Sequence, residues 1–106
     1  MAWIMLVVAG AFEVVWAFFM KQSDGFSRLV PSVLTFGFMF VSFGLLSLSM
    51  KALPLGTAYA IWTGIGAVGA FTVGIFVLGE AATPLRLLGG GLILAGLVIL
   101  KLATPE

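Results

Sequence analysis

Four long, mostly apolar stretches limit what this chain can fold into. Residues 2–20 are apolar apart from Glu13, residues 29–50 and 52–79 carry no charge, and residues 87–100 lie between Arg86 and Lys101. A helix of about 20 mostly apolar residues crosses the roughly 30 Å hydrocarbon core of a membrane. The sequence therefore predicts an all-α membrane protein with four transmembrane helices per chain.

Prolines and charged residues predict where the helices begin and end. Pro54 and Gly56 delay the start of the third helix, and the fourth stretch spans the membrane only if Arg86 and Lys101 extend toward the surface. We expect a single transmembrane domain over residues 1–106, with helices at about 2–20, 29–50, 56–79 and 84–102. The loops are short, so consecutive helices should be antiparallel neighbours. A cleaved signal peptide is not expected, because no basic residue precedes the first stretch.

The composition excludes most catalytic chemistry. Only 8% of the 106 residues are charged, and the chain has no histidine or cysteine, whereas soluble domains carry about 25% charged residues. Without imidazole or thiol groups, the common metal sites and nucleophiles are missing, so we expect neither an enzyme nor a metal or cofactor. A net charge of +1 with scattered basic residues also excludes nucleic acid as a partner.

Glu13 is the candidate chemical centre, because it is an acid near the middle of the first helix. Burying an acid at that depth is costly, and such residues usually face a bundle interior or a watery cavity. The low polarity disfavours the charged carboxylate, so the group is suited to exchange a proton for a cation. The alternative is a permanently neutral acid that only forms hydrogen bonds.

Polar and aromatic residues at helical spacing complete a candidate binding site. Trp16 shares the face of Glu13, Ser42 lies near the middle of the second helix, where it could hydrogen-bond a carboxylate, and Tyr59 and Trp62 share a face of the third. Aromatic rings attract cations. Gly10, about one helical turn before Glu13, is small and leaves space beside the carboxylate. Alternatively, the aromatic residues belong to the interfacial belt and the serine bonds to its own helix.

Glycines mark two further regions. The segment from Gly64 to Gly69 reads G-x-G-x-x-G, but it lies inside an apolar helix and does not follow a strand, so we exclude dinucleotide binding. Gly64 and Gly66 instead predict a helix kink or close packing. In the fourth helix, small residues predict dimerisation, or else packing within one chain. The predicted dimerisation residues are Gly90, Gly91, Ala95 and Gly96.

The basic residues give almost no orientation signal. Lys21, Arg28 and Arg86 would lie on one side of the membrane, and Lys51, Lys101 and the N-terminal amine on the other. Cytoplasmic loops normally carry the excess of lysine and arginine. Charge alone does not decide whether the chain inserts in a single orientation or in both orientations. Two antiparallel copies would reproduce the inverted repeats that many transporters use to form a site near the midplane.

Several segments together resemble the small multidrug resistance family over essentially the whole chain. They are AFEVVWA at 11–17, GFSR at 25–28, PS at 31–32, LPLGTAYAIWTGIG at 53–66 and the glycine-rich fourth helix. Trp16 and Ser42 resemble the guanidinium exporter subtype, because the multidrug subtype tends to have a small residue in place of Trp16 and a tyrosine in place of Met39.

The resemblance implies an antiparallel, often dual-topology homodimer in the bacterial cytoplasmic (inner) membrane. It further implies proton-coupled antiport by alternating access, with the first-helix glutamate at a shared site and guanidinium or small guanidinyl cations as the exported substrates. The residues that the resemblance places in this site are Gly10, Glu13, Trp16, Ser42, Tyr59 and Trp62. Alternatives are a quaternary ammonium exporter of the same family, half of a heterodimeric polyamine exporter, or a non-transporting scaffold. The balanced charges weigh against the heterodimer, and a scaffold leaves Glu13 unexplained.

Overall fold

A computed structural model describes residues 1–104, and this part of the chain contains four α-helices. They are α1 (Ala2–Gln22), α2 (Leu29–Ser49), α3 (Leu55–Phe76) and α4 (Pro84–Leu102). Each helix is long and apolar enough to cross a membrane. The prediction of an all-α, multi-pass membrane protein is therefore confirmed.

The helix ends differ from the predicted bounds by a few residues, most clearly at the end of α3. This helix ends at Phe76, although the uncharged stretch continues to Gly79. Gly79 has a φ of 72°, a left-handed conformation that cannot continue a helix. The next helix begins at Pro84, because Thr83 caps α4 by accepting a hydrogen bond from the Arg86 N–H at 3.2 Å.

The first helix occupies the middle of the bundle. It packs along both α2 and α3, whereas α2 and α3 meet each other over only a short region. Buried apolar residues of α1 and α3, such as Leu6, Ala9, Ala58 and Ile61, form most of the small core. The mid-helix acid therefore lies on the helix that has neighbours on two sides.

The fourth helix lies on the outside and packs along α3. None of its residues is buried. Its two basic side chains lie over aromatic rings: the Arg86 guanidinium is 5.5 Å from the centre of the Phe71 ring, and the Lys101 ammonium is 4.7 Å from that of Trp3. Cation–π contacts of this kind are attractive, so α4 is held to α3 near one end and to α1 near the other.

Two glycines let α3 and α4 approach closely. A Cβ atom at Gly64 would lie 3.1 Å from the Leu97 side chain, and one at Gly90 would lie 2.9 Å from the Phe71 ring. By contrast, a side chain at Gly91 or Gly96 would have no neighbour within 4 Å. Of the residues predicted to meet a second copy, Gly90 thus contacts its own chain, while Gly91, Ala95 and Gly96 are exposed.

We expect Gly90→Val to destabilise the packing of α4 on α3, because the new side chain would press into the Phe71 ring. Overpacking of this kind typically costs about 1–3 kcal/mol. Unfolding in detergent should show a lower midpoint for the variant than for the wild-type chain. In a Phe71→Ala background the same substitution should cost clearly less, because contacting residues are not additive. Equal costs in both backgrounds would show that Phe71 is not the cause.

Candidate functional site

The carboxyl group of Glu13 lies in the middle of α1 and faces α3. Its Oε1 atom is buried and has no hydrogen-bond partner among the described residues. Gly66 of α3 is so close that any side chain there would overlap the carboxyl group. A buried acceptor without a donor costs about 1–3 kcal/mol, and such groups frequently have a chemical role. This oxygen is available to a proton or to the N–H groups of a cation.

A second unsatisfied polar atom lies one helical turn away. The indole Nε1 of Trp16 is also buried without a hydrogen-bond partner in the described part of the chain. Trp16 and Glu13 are three residues apart, so they share a face of α1. One face of this helix therefore presents a free acceptor and a free donor, together with the ring of an indole.

Ser42 joins three helices at the same level. Its hydroxyl donates a hydrogen bond to the Ala9 carbonyl of α1 at 2.6 Å, and it accepts one from Trp62 Nε1 of α3 at 3.0 Å. Ser42 is 0% exposed and Trp62 6%. Ala9 precedes Glu13 by four residues, which is about one helical turn. From the sequence we expected that Ser42 could bond to the carboxylate of Glu13. In the structure its hydroxyl instead donates to the backbone carbonyl of Ala9.

Aromatic rings form a continuous row beside these groups. Tyr59 and Trp62 have ring centres 5.6 Å apart, Trp62 and Phe43 5.6 Å, and Phe43 and Trp16 6.2 Å. Tyr59 at the end of the row is 54% exposed. The row brings together the three predicted aromatic residues and adds Phe43. Sequence reasoning missed Phe43, because nothing distinguishes it from the other nine of the 10 phenylalanines.

Glycines bring α1 and α3 into close contact around the carboxyl group. A Cβ atom at Gly10 would lie 2.5 Å from the Ile65 side chain, and Gly66 and Gly69 lie against Glu13 and Val14. The third helix is helical throughout Leu55–Phe76. Gly64 and Gly66, predicted for a kink or for close packing, are positions where neighbouring side chains approach the α3 backbone, and the kink stays a prediction.

A cavity of about 170 Å³ lies between α1 and α3. At one end it is lined by Lys21 and Glu80, near the loop that connects α3 with α4, and its lining also includes Val14, the neighbour of Glu13. Glu80 additionally lies 3.5 Å from the Arg86 guanidinium. The cavity thus runs from charged residues at the end of the bundle toward the level of the carboxyl group.

Among the described residues, histidine, cysteine and acidic side chains form no cluster of three or more that could hold a metal ion. The fourth helix contributes no residue to the aromatic row or to the contacts of Glu13. The arrangement on α1, α2 and α3 therefore offers one carboxyl group, indole and phenol groups, and ring surfaces, which suits binding of a cation better than bond-making chemistry.

Comparison with known proteins identifies the family. The model of the Small Multidrug Resistance protein family matches residues 1–93. The guanidinium exporter of Escherichia coli K12 is 59% identical over 104 residues, which cover 98% of this chain and 99% of that protein. The guanidinium exporter of Salmonella typhimurium LT2 is 60% identical over 103 residues, covering 97% of this chain and 98% of that protein.

A third relative, the guanidinium exporter of Citrobacter freundii, is 58% identical over 104 residues, with 98% of this chain and 99% of that protein covered. These relatives are named as exporters and not as enzymes, which agrees with the absence of catalytic chemistry expected from the sequence. The family match extends over all the helices that form the site, and the relatives match nearly from end to end. This chain is a member of the Small Multidrug Resistance family.

Proposed function

We propose that this protein is a proton-coupled antiporter that exports guanidinium and small guanidinyl cations. The observation that carries the proposal is the buried, unpaired Oε1 atom of Glu13 in the middle of a membrane helix. A proton and a cation cannot occupy one carboxylate together, so binding of either releases the other. Three relatives of similar length that bear the name guanidinium exporter support this choice of substrate.

The proposed site suits a planar cation with several N–H groups. A guanidinium ion pairs with a carboxylate through two parallel hydrogen bonds, as arginine does, and Glu13 supplies the acceptors. Trp16, Tyr59 and Trp62 supply ring faces, and a desolvated cation–π contact contributes about 2 kcal/mol. Gly10 lets α1 approach α3, and Ser42 links α2 to both of them through its hydrogen bonds with Ala9 and Trp62.

We further propose that each single four-helix domain pairs with an antiparallel copy in the bacterial inner membrane. The nearly balanced basic residues support insertion in both orientations. The exposed small residues Gly91, Ala95 and Gly96 of α4 are suited to close helix contact between copies. In such a pair, two Glu13 side chains would share one site and titrate together, and alternating access would open it to either side.

The cavity between α1 and α3 is a proposed route to this site. Lys21 and Glu80 give one end of it charged side chains, and its lining reaches Val14, next to Glu13. In an antiparallel pair the two cavities would open toward opposite faces of the membrane. Each copy would then provide access from one side.

Glu13→Gln should abolish guanidinium-driven proton movement across liposomes that contain the purified protein. The amide keeps the shape of the side chain but can neither release a proton nor carry the charge that pairs with the cation. Asp24→Asn, in the loop between α1 and α2, is the matched control and should transport like wild type. Normal coupled transport by the glutamine variant would exclude the proposed mechanism.

The same liposomes separate two exporter types of the family. Guanidinium should drive proton movement through the wild-type protein, whereas tetraphenylphosphonium should drive little or none. A bulky cation without N–H groups cannot use the paired hydrogen bonds to Glu13. Coupled transport of tetraphenylphosphonium with no response to guanidinium would instead identify a multidrug exporter.

Guanidinium affinity should fall as the pH is lowered, because protonation of Glu13 removes the acceptor. If one proton is displaced for each cation bound, the dissociation constant rises about tenfold per pH unit in the acidic range. At alkaline pH it should become constant. Tryptophan fluorescence titrations with guanidinium at several pH values measure this, and a pH-independent dissociation constant would contradict competition at a shared carboxyl group.

Gly66→Ala should strongly reduce guanidinium transport, because the new methyl group would occupy the place of the Glu13 carboxyl group. Displacing a binding group by about 1 Å can cost on the order of a hundredfold in rate. Gly37→Ala is the control, since a side chain at this position of α2 meets no neighbour within 4 Å. Both variants should remain folded in detergent, and equal transport by the two would show that Gly66 does not position the carboxyl group.

A further inference from the structure

We propose that an anionic phospholipid binds in a groove beside the loop between α1 and α2, with its phosphate on Arg28 and an acyl chain between the helices. None of the residues that line this groove belongs to the proposed cation site. The lipid site is independent of transport, because it requires only that the chain spans a membrane.

The groove has one polar end and apolar walls. It has a volume of about 490 Å³ and opens between the end of α1, the start of α2 and the end of α3. Arg28 and Gln22 are its polar lining residues, and no acidic side chain of the described residues lines it. The apolar walls include Phe18, Phe19, Pro31, Leu34 and Val77. A cationic group above an apolar channel matches the two halves of an anionic phospholipid.

The groove runs from the membrane surface into the hydrocarbon. Gln22 is the last residue of α1, and Arg28 directly precedes the first residue of α2, so both lie at the ends of membrane spans. Leu34 follows Arg28 by six residues, which is about 9 Å along a helix. The polar end is therefore at the level of lipid head groups, and the apolar walls are at the level of acyl chains.

The Arg28 side chain is available to a ligand. It is exposed, and the one ion pair in the part of the chain that the structure describes joins Arg86 and Glu80 instead. A guanidinium group binds a phosphate through two parallel hydrogen bonds. Basic pockets between transmembrane helices bind anionic lipid head groups for the same reason.

A strained turn fixes where Arg28 lies. Asp24, Gly25 and Phe26 have φ values of 51°, 71° and 65°, and this left-handed conformation is unfavourable for residues with a side chain. Ser23 holds the turn: its hydroxyl accepts the Phe26 N–H at 3.0 Å, and its carbonyl accepts the Arg28 N–H at 3.1 Å. Backbone strain of this kind persists where the surrounding structure enforces it, and it is common at ligand-binding sites. The turn brings Arg28 back beside the end of α1, where the groove opens.

A second copy of the chain is a less suitable occupant than a lipid. The exposed small residues proposed for contact between copies lie on α4, and no residue of α4 lines the groove. Pairing through α4 therefore leaves the groove facing its surroundings. In a membrane those surroundings are phospholipids, and Arg28 selects the anionic ones.

Native mass spectrometry of the purified chain in detergent tests the polar half of the site. Phosphatidylglycerol and phosphatidylcholine with the same acyl chains are titrated separately. The wild-type chain should bind phosphatidylglycerol more tightly, because choline adds a positive charge that Arg28 repels. Arg28→Gln should weaken phosphatidylglycerol binding by about tenfold, the size of effect expected for hydrogen bonds to a charged group. Lys51→Gln is the matched control, since Lys51 follows the other end of α2 and does not line the groove.

A second pair of variants tests the apolar half without changing any charge. Val77→Trp places a large side chain in the groove and should weaken phosphatidylglycerol binding to a similar extent as Arg28→Gln. Val33→Trp is its control, because Val33 is also exposed but does not line the groove. This variant should bind phosphatidylglycerol like wild type. Circular dichroism should show the same helical content in all four variants.

Several outcomes would overturn the lipid site. One is equal affinity of the wild-type chain for the two lipids, and another is unchanged phosphatidylglycerol binding in Arg28→Gln or Val77→Trp. Displacement of the lipid by millimolar inorganic phosphate would show a simple anion site to which the groove contributes nothing. A change in the dimer fraction of these variants with unchanged lipid binding would show that a second copy occupies the groove. Failure of guanidinium transport by the wild-type chain would refute the proposed function and leave the lipid site intact.

Discussion

The arrangement of this protein depends on the Glu13 carboxyl group, which lies in a membrane helix and has an oxygen without a hydrogen-bond donor among the described residues. Hydrocarbon offers neither water nor counter-charge, so the acid must be enclosed by protein or reach a polar cavity. Glu13 lies on the helix that packs between two others, and the backbone of α3 comes up to it at Gly66. Two helices, α2 and α3, pack directly on α1, and α4 packs on α3.

Small residues and one hydroxyl allow this close packing without a large apolar core. Gly10, Gly66 and Gly69 let side chains of one helix lie against the backbone of the other between α1 and α3, and Gly64 does the same for α3 and α4. Ser42 then adds directed bonds across α1, α2 and α3. Packing and polar bonds of this kind replace the hydrophobic effect, which hardly favours helix association in lipid. The same glycines that join the helices also leave the space in which the carboxyl group lies.

The helices and the central acid could be predicted from the sequence because both depend on residue type alone. Long uncharged stretches determine the spans, and a single acid within them is conspicuous whatever its neighbours are. The contacts of each helix could not be predicted in the same way. A helix that is apolar on every side has no periodic pattern to show which face is turned inward, so nothing in the sequence separates Gly90, which meets Phe71, from Gly91, which is exposed.

The partner of Ser42 was also beyond the sequence, because it is the backbone carbonyl of an ordinary alanine. Backbone acceptors are present at every position, so residue identity gives no sign of which one is used. Phe43 enters the aromatic row for a similar reason: its place follows from the rotation of α2 against α1 and α3. Sequence reasoning thus finds the groups with distinctive chemistry, and the geometry decides how they are held.

The contacts of α4 with aromatic rings have a consequence for controlling how the chain inserts. Basic residues near the membrane surface set orientation, and two of the five in this chain, Arg86 and Lys101, also lie over the rings of Phe71 and Trp3. Replacing either to force one orientation would loosen α4 at the same time. Lys21, Arg28 and Lys51 lie over no ring in the described part of the chain, so they are the positions at which orientation can be altered with least disturbance to the attachment of α4.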